Sequence, residues 1–234
     1  MVHLPINARI GTIALDPSKI ICLGLNYRDH ISESVTAKAA GTSEVPEEPI
    51  LFPKTPNALI GPREPIIIPA FLDRYGFDEP RTDYEAELAV IIGRKCKNVP
   101  EENALEMVYG YTCFNDVSQR NLQTSDKSGW FRGKSLDTFA PIGPAVTLAE
   151  DMADPQNLRI QCRKNGKTVQ DSNTRLMIFS IPEIIAFVSM NFTLNQGDII
   201  ATGTPAGVGP LAAGDEIEVE IESIGVLTNP VTQE

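Results

Sequence analysis

The sequence DYEAELAVIIG, residues 83–93, joins two acidic side chains to a long apolar run that predicts a β-strand. Glu85 and Glu87 stand two residues apart, and side chains with this spacing point to the same face of a strand. Two adjacent carboxylates repel each other unless a cation or a proton holds them together. The pair therefore predicts either a cation site or an ordinary solvated strand face.

A third carboxylate follows the next apolar run along the chain. Residues 108–114 read as another strand, and Asp116 comes directly after it in the sequence Phe114-Asn115-Asp116. Oxygen ligands that converge from strands suit Mg²⁺, Mn²⁺ or Ca²⁺ better than zinc. If the two strands are neighbours, these residues predict a divalent-cation site.

Composition and charge limit the classes of function. The chain has 234 residues, 42% of them hydrophobic and 22% charged, and a formal net charge of −11. This charge argues against nucleic acid or an anionic membrane as a partner, although a local positive pocket can still bind a small acid. The sequence shows neither an apolar run of about 20 residues nor a signal-peptide pattern, so a soluble cytoplasmic protein is expected. Its four cysteines are scattered, which predicts reduced thiols.

The remaining patterns predict more strands than helices. Residues 20–25 and 216–222 read as strands, Asn165-Gly166 is typical of a two-residue hairpin turn, and residues 36–49 read as a mobile loop. Ser180-Ile-Pro-Glu183 has the form of a capping box and predicts a helix of about ten residues. The interpretation is a mainly β (α+β) domain at 16–234, preceded by an N-terminal extension at 1–15.

Four further segments carry side chains suited to chemistry. His30 and Glu33 would share a helix face, where the carboxylate could orient the imidazole as a general base; a surface ion pair is the simpler alternative. Arg120 and Gln123 could bind a carboxylate or carbonyl, or could belong to a polar helix face. Lys134 is expected to be exposed unless the carboxylates attract it. Thr204 lies in a glycine-rich turn, residues 202–209, that either approaches a ligand or simply connects strands.

Six motifs in order resemble the fumarylacetoacetate hydrolase superfamily from residue 20 to residue 231. They are N-Y-x-x-H-x-x-E from Asn26, D-Y-E-x-E-L from Asp83, N-D at 115–116, G-K-S-x-D from Gly133, T-G-T-P-x-G-V-G from Thr202 and G-V-L-x-N-P-V from Gly225. The resemblance implies a mixed β-roll with few helices, a homodimer and one divalent metal, commonly Mg²⁺ or Mn²⁺. The chain resembles short single-domain members of the acylpyruvase and 5-carboxymethyl-2-hydroxymuconate isomerase type.

The resemblance also implies roles for individual residues. Metal ligands would be Glu85, Glu87 and Asp116. Substrate contacts would come from Arg120, Gln123 and Thr204, and His30, Glu33 and Lys134 would take part in catalysis. With a divalent ion, Lys134 and Arg120 would give the pocket a charge near plus one, which suits a small 2-oxo acid or dicarboxylate.

The predicted function is metal-dependent hydrolysis of a C–C bond in an acylpyruvate-like β-diketo acid through a pyruvate enolate. The His30–Glu33 pair favours this reaction, because hydrolysis needs a base that activates water. Two alternatives use a similar enolate: decarboxylation of oxaloacetate or a related acid, and isomerisation of an unsaturated 2-oxo diacid in aromatic catabolism. A non-catalytic metal-dependent protein that binds 2-oxo acids is an alternative of another class.

Overall fold

A computed structural model of the chain describes residues 1–5, 12–33, 44–127 and 130–234. Strands are the main elements of these residues, and they confirm the mainly β prediction. Their bounds are β1 Val2–Pro5, β2 Thr12–Leu15, β3 Ile20–Gly24, β4 Ile50–Lys54, β5 Leu59–Ile60, β6 Ile66–Ile68, β7 Thr82–Tyr84, β8 Ala86–Ile92, β9 Val108–Asn115, β10 Ser118–Gln119, β11 Ala140–Leu148, β12 Arg159–Lys164, β13 Lys167–Asn173, β14 Ile199–Ala201, β15 Gly209–Pro210, β16 Glu216–Ile221 and β17 Gly225–Gln233.

The described helices are short and lie between strands. The α-helices are α1 Arg28–Glu33, α2 Glu101–Ala104, α3 Arg120–Ser125, α4 Phe131–Lys134 and α5 Ile181–Asn191. Short 3₁₀-helices occupy Pro56–Ala58, Ala70–Tyr75, Leu105–Met107, Ala149–Asp151 and Thr174–Leu176. In the part of the chain that the structure describes, no helix is long and apolar enough to cross a membrane.

Two large mixed sheets form a curled half-barrel around the main core. The seven-stranded sheet has the order β4-β3-β14-β8-β9-β11-β5, and the five-stranded sheet has the order β13-β12-β16-β17-β6. Most neighbours are antiparallel, but β14 pairs with β3, β11 with β5, and β17 with β6 in parallel. A three-stranded sheet, β10-β7-β15, lies where β7 leads into β8.

Strand β8 is covered on both faces, which explains its unbroken apolar sequence. Leu88, Val90 and Ile92 belong to the main core cluster, together with Val219 of the five-stranded sheet. The alternate residues, including Ile91, belong to a second cluster on the opposite face of the seven-stranded sheet. Glu87, on this strand, and Glu85, directly before it, therefore lie in a buried stretch rather than on a solvated face.

Several local predictions from the sequence are confirmed. The Asn165-Gly166 turn joins β12 and β13, and both residues have positive φ, as a type I′ hairpin requires. Ser180 and Glu183 form the predicted capping box at the start of α5, which runs for 11 residues. Residues 44–49 form no helix or strand, whereas residues 36–43 of the predicted loop lie outside the described residues. The four cysteines are free thiols.

The N-terminal residues form a strand pair rather than a simple tail. Strands β1 and β2 pair antiparallel, and Leu4 and Leu15 are buried in the second core cluster. The proposed boundary between an extension at 1–15 and a domain at 16–234 stays a prediction.

Candidate active site

The three predicted carboxylates converge at one end of the seven-stranded sheet. Glu85 lies between β7 and β8, Glu87 is on β8, and Asp116 follows β9, the antiparallel neighbour of β8. One oxygen from each carboxylate lies within 4.8 Å of the others, and all three residues are buried. The glutamate spacing predicted from the sequence therefore does bring two side chains to one place, and strand pairing brings the third.

Lys134 is buried among these carboxylates. Its Nζ atom donates to Glu85 Oε2 at 2.7 Å and to Asp116 Oδ2 at 2.5 Å. Burial acts to lower the pKa of Lys134, but Asp116 and Glu85 outweigh it and raise the pKa above the usual value. The sequence left exposure as the default for this lysine; the structure places it with the carboxylates instead.

Arg120 joins the same cluster from the first turn of α3. Its guanidinium donates to Asp83 at 2.8 Å, to Gln123 at 2.9 Å and to Glu85. Helix α3 begins at Arg120, so Asp116 lies before the helix and Arg120 and Gln123 are one turn apart within it. Three of the five N–H groups of Arg120 therefore have protein acceptors. The predicted substrate contact by Arg120 stays a prediction.

Glu85 and Glu87 differ in how their charges are balanced. Burial acts to raise the pKa of Glu85, but Arg120 and Lys134 hold that pKa well below its usual range. Burial raises the pKa of Glu87, and Asp116 and Glu85 raise it further. Glu87 accepts a hydrogen bond from the Gly203 amide at 2.9 Å, and among the described residues no cationic nitrogen lies within 4 Å of it. Glu87 is thus the carboxylate that most requires a further positive charge.

The residues fit a hard divalent cation. Three buried carboxylates supply only oxygen donors, the ligand type that Mg²⁺, Mn²⁺ and Ca²⁺ prefer. The described site also contains four charges that the sequence argument omitted: the cations of Lys54 and Arg81 and the anions of Asp83 and Glu33. These additions cancel, so the expected pocket charge with a divalent ion remains near plus one.

His30 and Glu33 lie on one face of α1, as the spacing predicted. His30 Nδ1 lies 3.2 Å from Glu33 Oε1, which also accepts the Gly207 amide at 2.7 Å and the Val208 amide at 3.2 Å. Burial acts to raise the pKa of Glu33, but the hydrogen bonds from His30 and the two amides lower it below its usual value. A carboxylate accepts only, so Nδ1 is the ring nitrogen that donates in this pair, and in a neutral imidazole with this arrangement Nε2 is the acceptor.

The predicted glycine-rich turn supplies Thr204 as well as these amides. Gln170 Nε2 donates to Thr204 Oγ1 at 2.9 Å, while Gln170 Oε1 accepts from the Ala86 amide at 3.0 Å. Gln170 therefore connects the turn to the strand segment that carries the two glutamates. Nothing in the sequence near Gln170 indicated this role, because the contact joins residues 84 positions apart.

One cavity brings these groups together. It is lined by His30, Glu85, Glu87, Arg120, Gln123, Lys134 and Thr204 on its polar side, and by Leu23, Gly24, Leu25, Phe52 and Trp130 on its apolar side. Asp116 lies behind Lys134 and is absent from this lining. The apolar wall was missed by the sequence analysis: Phe52 and Trp130 pack edge to face, with ring centroids 5.2 Å apart.

Comparisons with known proteins agree with this architecture. The family model described as fumarylacetoacetate (FAA) hydrolase C-terminal matches residues 19–232. The mitochondrial oxaloacetate tautomerase of Xenopus laevis is 43% identical over 98% of this chain and 70% of that protein. Among solved structures, 5-carboxymethyl-2-hydroxymuconate delta-isomerase from Mycobacterium smegmatis has a TM-score of 0.81 and 40% identity, covering 94% of this chain and 80% of that chain.

A hydrolase is also among the similar structures. Maleylpyruvate hydrolase from Sphingobium sp. SYK-6, solved with a manganese(II) ion and pyruvate, has a TM-score of 0.75 and 36% identity. The match covers 93% of this chain and 71% of that chain. The similar proteins therefore include a tautomerase, an isomerase and a hydrolase, all named for small oxo or hydroxy acids.

Proposed function

The chain belongs to the fumarylacetoacetate hydrolase family, and on that premise we propose that it is a divalent-metal-dependent enzyme of small 2-oxo acids. The proposed reaction is proton transfer at the carbon next to the oxo group, which interconverts the keto and enol forms of an oxaloacetate-type acid. Mg²⁺ or Mn²⁺ is the proposed metal, with Glu85, Glu87 and Asp116 as its ligands.

The observation that carries this proposal is the position of His30. Its imidazole lines the same cavity as Glu85, Glu87 and Lys134, and its Nδ1 atom is held by Glu33. A base in this position can reach an acid bound at the carboxylate cluster. Glu33 is fixed in turn by two backbone amides, so the imidazole is oriented before any substrate binds.

A divalent ion at this cluster would act as a Lewis acid that draws electron density from the oxo group of the substrate. Lys134 adds a fixed positive charge where negative charge develops on the enolate oxygen. Thr204 keeps its hydroxyl hydrogen available, because its Oγ1 accepts from Gln170, and it can donate to a substrate oxygen.

The proton transfer assigns one role to His30. Nε2 takes the proton from the carbon next to the oxo group, a C–C double bond forms, and the oxo oxygen gains a proton from the imidazolium or from solvent. In the reverse direction the same nitrogen returns the proton to carbon. Glu33 stabilises the imidazolium in both directions through the Nδ1 hydrogen bond. The relatives named tautomerase and isomerase support this order of preference.

A second candidate is the hydrolysis predicted from the sequence, and the relative named maleylpyruvate hydrolase supports it. His30 would take a proton from water, whose oxygen bonds to the distal carbonyl carbon of an acylpyruvate. The bond between that carbon and the adjacent carbon then breaks, and its electron pair remains on the pyruvate enolate. The enolate takes back the proton from His30, so one acid and one pyruvate are formed.

The test is turnover of oxaloacetate enol and of acetylpyruvate with Mn²⁺, with Mg²⁺ and with EDTA. Ketonisation followed by enol absorbance is the result expected for the first candidate, and release of pyruvate plus acetate is that for the second. Loss of CO₂ from oxaloacetate would instead support a decarboxylase. Absence of all turnover in protein that binds Mn²⁺ would contradict both proposals and favour a binding protein.

The matched variants are His30→Ala and His3→Ala, since these are the two histidines of the chain. Loss of a general base should lower kcat by roughly 10²–10⁴-fold in His30→Ala. His3 lies exposed on β1 and should be dispensable. Near-normal turnover by His30→Ala would remove His30 from the mechanism.

A further inference from the structure

Lys54 is a buried cation that touches the site from behind. Its side chain is 0% exposed, and the residue is absent from the lining of the cavity. It ends β4, the edge strand of the seven-stranded sheet, and follows Pro53 in the sequence. A lysine at the end of an edge strand would ordinarily extend into solvent. Its complete burial requires a specific reason, because removing an ammonium from water is strongly unfavourable unless the charge is paired.

The ammonium of Lys54 is held by two backbone carbonyl groups and by an ion pair with one carboxylate. Nζ donates to the carbonyl oxygen of Val117 at 3.0 Å and to the carbonyl oxygen of Lys134, and it lies 2.7 Å from Asp116 Oδ1. These acceptors belong to two segments of the cluster, the turn after β9 and the end of α4. A single nitrogen thus joins the backbone of both segments.

Asp116 is held by two lysines, one on each carboxylate oxygen. Lys134 takes Oδ2 at 2.5 Å, while Lys54 lies 2.7 Å from Oδ1. The two lysines are not equivalent, because Lys134 lines the cavity and Lys54 does not. Oδ2 is therefore the oxygen on the cavity side of Asp116, where a metal ion could replace Lys134 as its partner.

We propose that Lys54 is a positioning residue for the metal site: it fixes Oδ1 of Asp116 and the backbone at residues 117 and 134, and so presents Oδ2 for binding. Lys54 itself contacts neither metal nor substrate. This role rests on the proposed metal-dependent function and assigns Lys54 a part in it that the family motifs quoted above do not include.

A positioning role and a purely electrostatic role of Lys54 predict opposite changes in metal affinity when its ammonium is removed. Loss of a positive charge beside three carboxylates should strengthen cation binding by Coulomb attraction alone. Loss of a positioning contact should weaken it, since outer partners of metal ligands typically contribute 10–100-fold in affinity. The sign of the change in metal affinity therefore separates the two interpretations.

The experiment is titration of the metal-free protein with Mn²⁺ alone, followed by the EPR signal of the free ion. Lys54→Met retains the apolar stem and removes the ammonium. The proposal expects a Mn²⁺ Kd at least about 10-fold higher than that of the wild type. An unchanged or lower Kd would overturn it. Wild-type protein that binds no Mn²⁺ would instead contradict the proposed function itself, so the two failures are distinguishable.

Lys19→Met is the matched control for general destabilisation. Lys19 also pairs with a buried carboxylate, that of Asp198. It lies directly before β3, at the opposite end of that strand from Gly24, which lines the cavity. Its removal should lower the melting temperature and leave the Mn²⁺ Kd within about 2-fold. An equal loss of affinity in both variants would overturn the positioning role. If Lys54→Met does not fold, Lys54→Leu, which also removes the ammonium and all of its contacts, is judged by the same limits.

Discussion

Two segments of the chain alternate glutamate with apolar residues: E-A-E at 85–87 and E-I-E-V-E-I-E at 216–222. In β16 the apolar residues, Ile217, Val219 and Ile221, are each 1% exposed and face the main core. Glu218 and Glu220 lie on the other face, where both pair with a partly exposed Arg163. This strand has one covered face, and its carboxylates are solvated.

The first segment differs because its strand is covered on both faces. Glu85 and Glu87 are 5% and 1% exposed, and their neighbours are Lys134, Arg120 and the Gly203 amide rather than water. The same residue type at the same spacing is a surface feature in one strand and a charged cluster in the other. Carboxylate spacing alone therefore does not define a cation site; an apolar run on the same strand, which indicates cover on both sides, is the additional signal.

The largest difference between the two segments is expected for a matched pair of substitutions, Glu87→Gln and Glu218→Gln. Removing a ligand charge should lower the affinity for Mn²⁺ by at least about 100-fold, more than the loss expected for an outer partner. Glu218→Gln should leave the Kd unchanged, and isothermal titration with Mn²⁺ measures both. Equal Kd values for Glu87→Gln and the wild type would show that Glu87 is not a ligand.

The second prediction concerns stabilisation by the metal. At 20 times its Kd, Mn²⁺ should raise the free energy of unfolding of the wild type by about 1.8 kcal/mol, because it binds only the folded state. Glu218→Gln should show the same increase and Glu87→Gln none at that concentration. Urea denaturation with Mn²⁺ and with EDTA gives these values. Equal stabilisation of all three proteins would place the metal elsewhere.

The smallest effect is expected on the outer face of β16. Glu218→Gln removes a partly exposed ion pair with Arg163, 2.9 Å long, and should change the free energy of unfolding by less than about 1 kcal/mol. The difference should shrink further in 1 M salt, where exposed charges are screened. A larger loss that persists in salt would mean that this face is not solvated as described.

Features carried by neighbouring residues could be predicted from the sequence. The capping box at Ser180, the Asn165-Gly166 hairpin and the His30–Glu33 pair each depend on residues within three positions of one another. The carboxylate site needed one step more, the pairing of β8 with β9 that places Asp116 beside Glu87. The order of the motifs indicated that Asp116 joins Glu85 and Glu87, through the resemblance to a known family and not through any property of the strands themselves.

Contacts between distant segments were missed. Lys54 meets Val117 and Lys134 across 63 and 80 positions, and Gln170 meets Ala86 across 84. A lysine after a proline and a glutamine within a hairpin give no local signal for such partners, because only the folded sheet order brings them together. The homodimer, the cytoplasmic location and the identity of the metal stay predictions.

The position of β14 in the sheet determines when the two sides of the cavity can come together during folding. Its three residues lie between β3 and β8, so they join the part of the sheet that leads to His30 with the part that leads to Glu87. Ile199 pairs with Ile20, which precedes it by 179 positions, and closing so long a loop is slow because its entropy cost is met before the contacts form. The two halves of the cavity should therefore meet late in folding, after β14 has been synthesised.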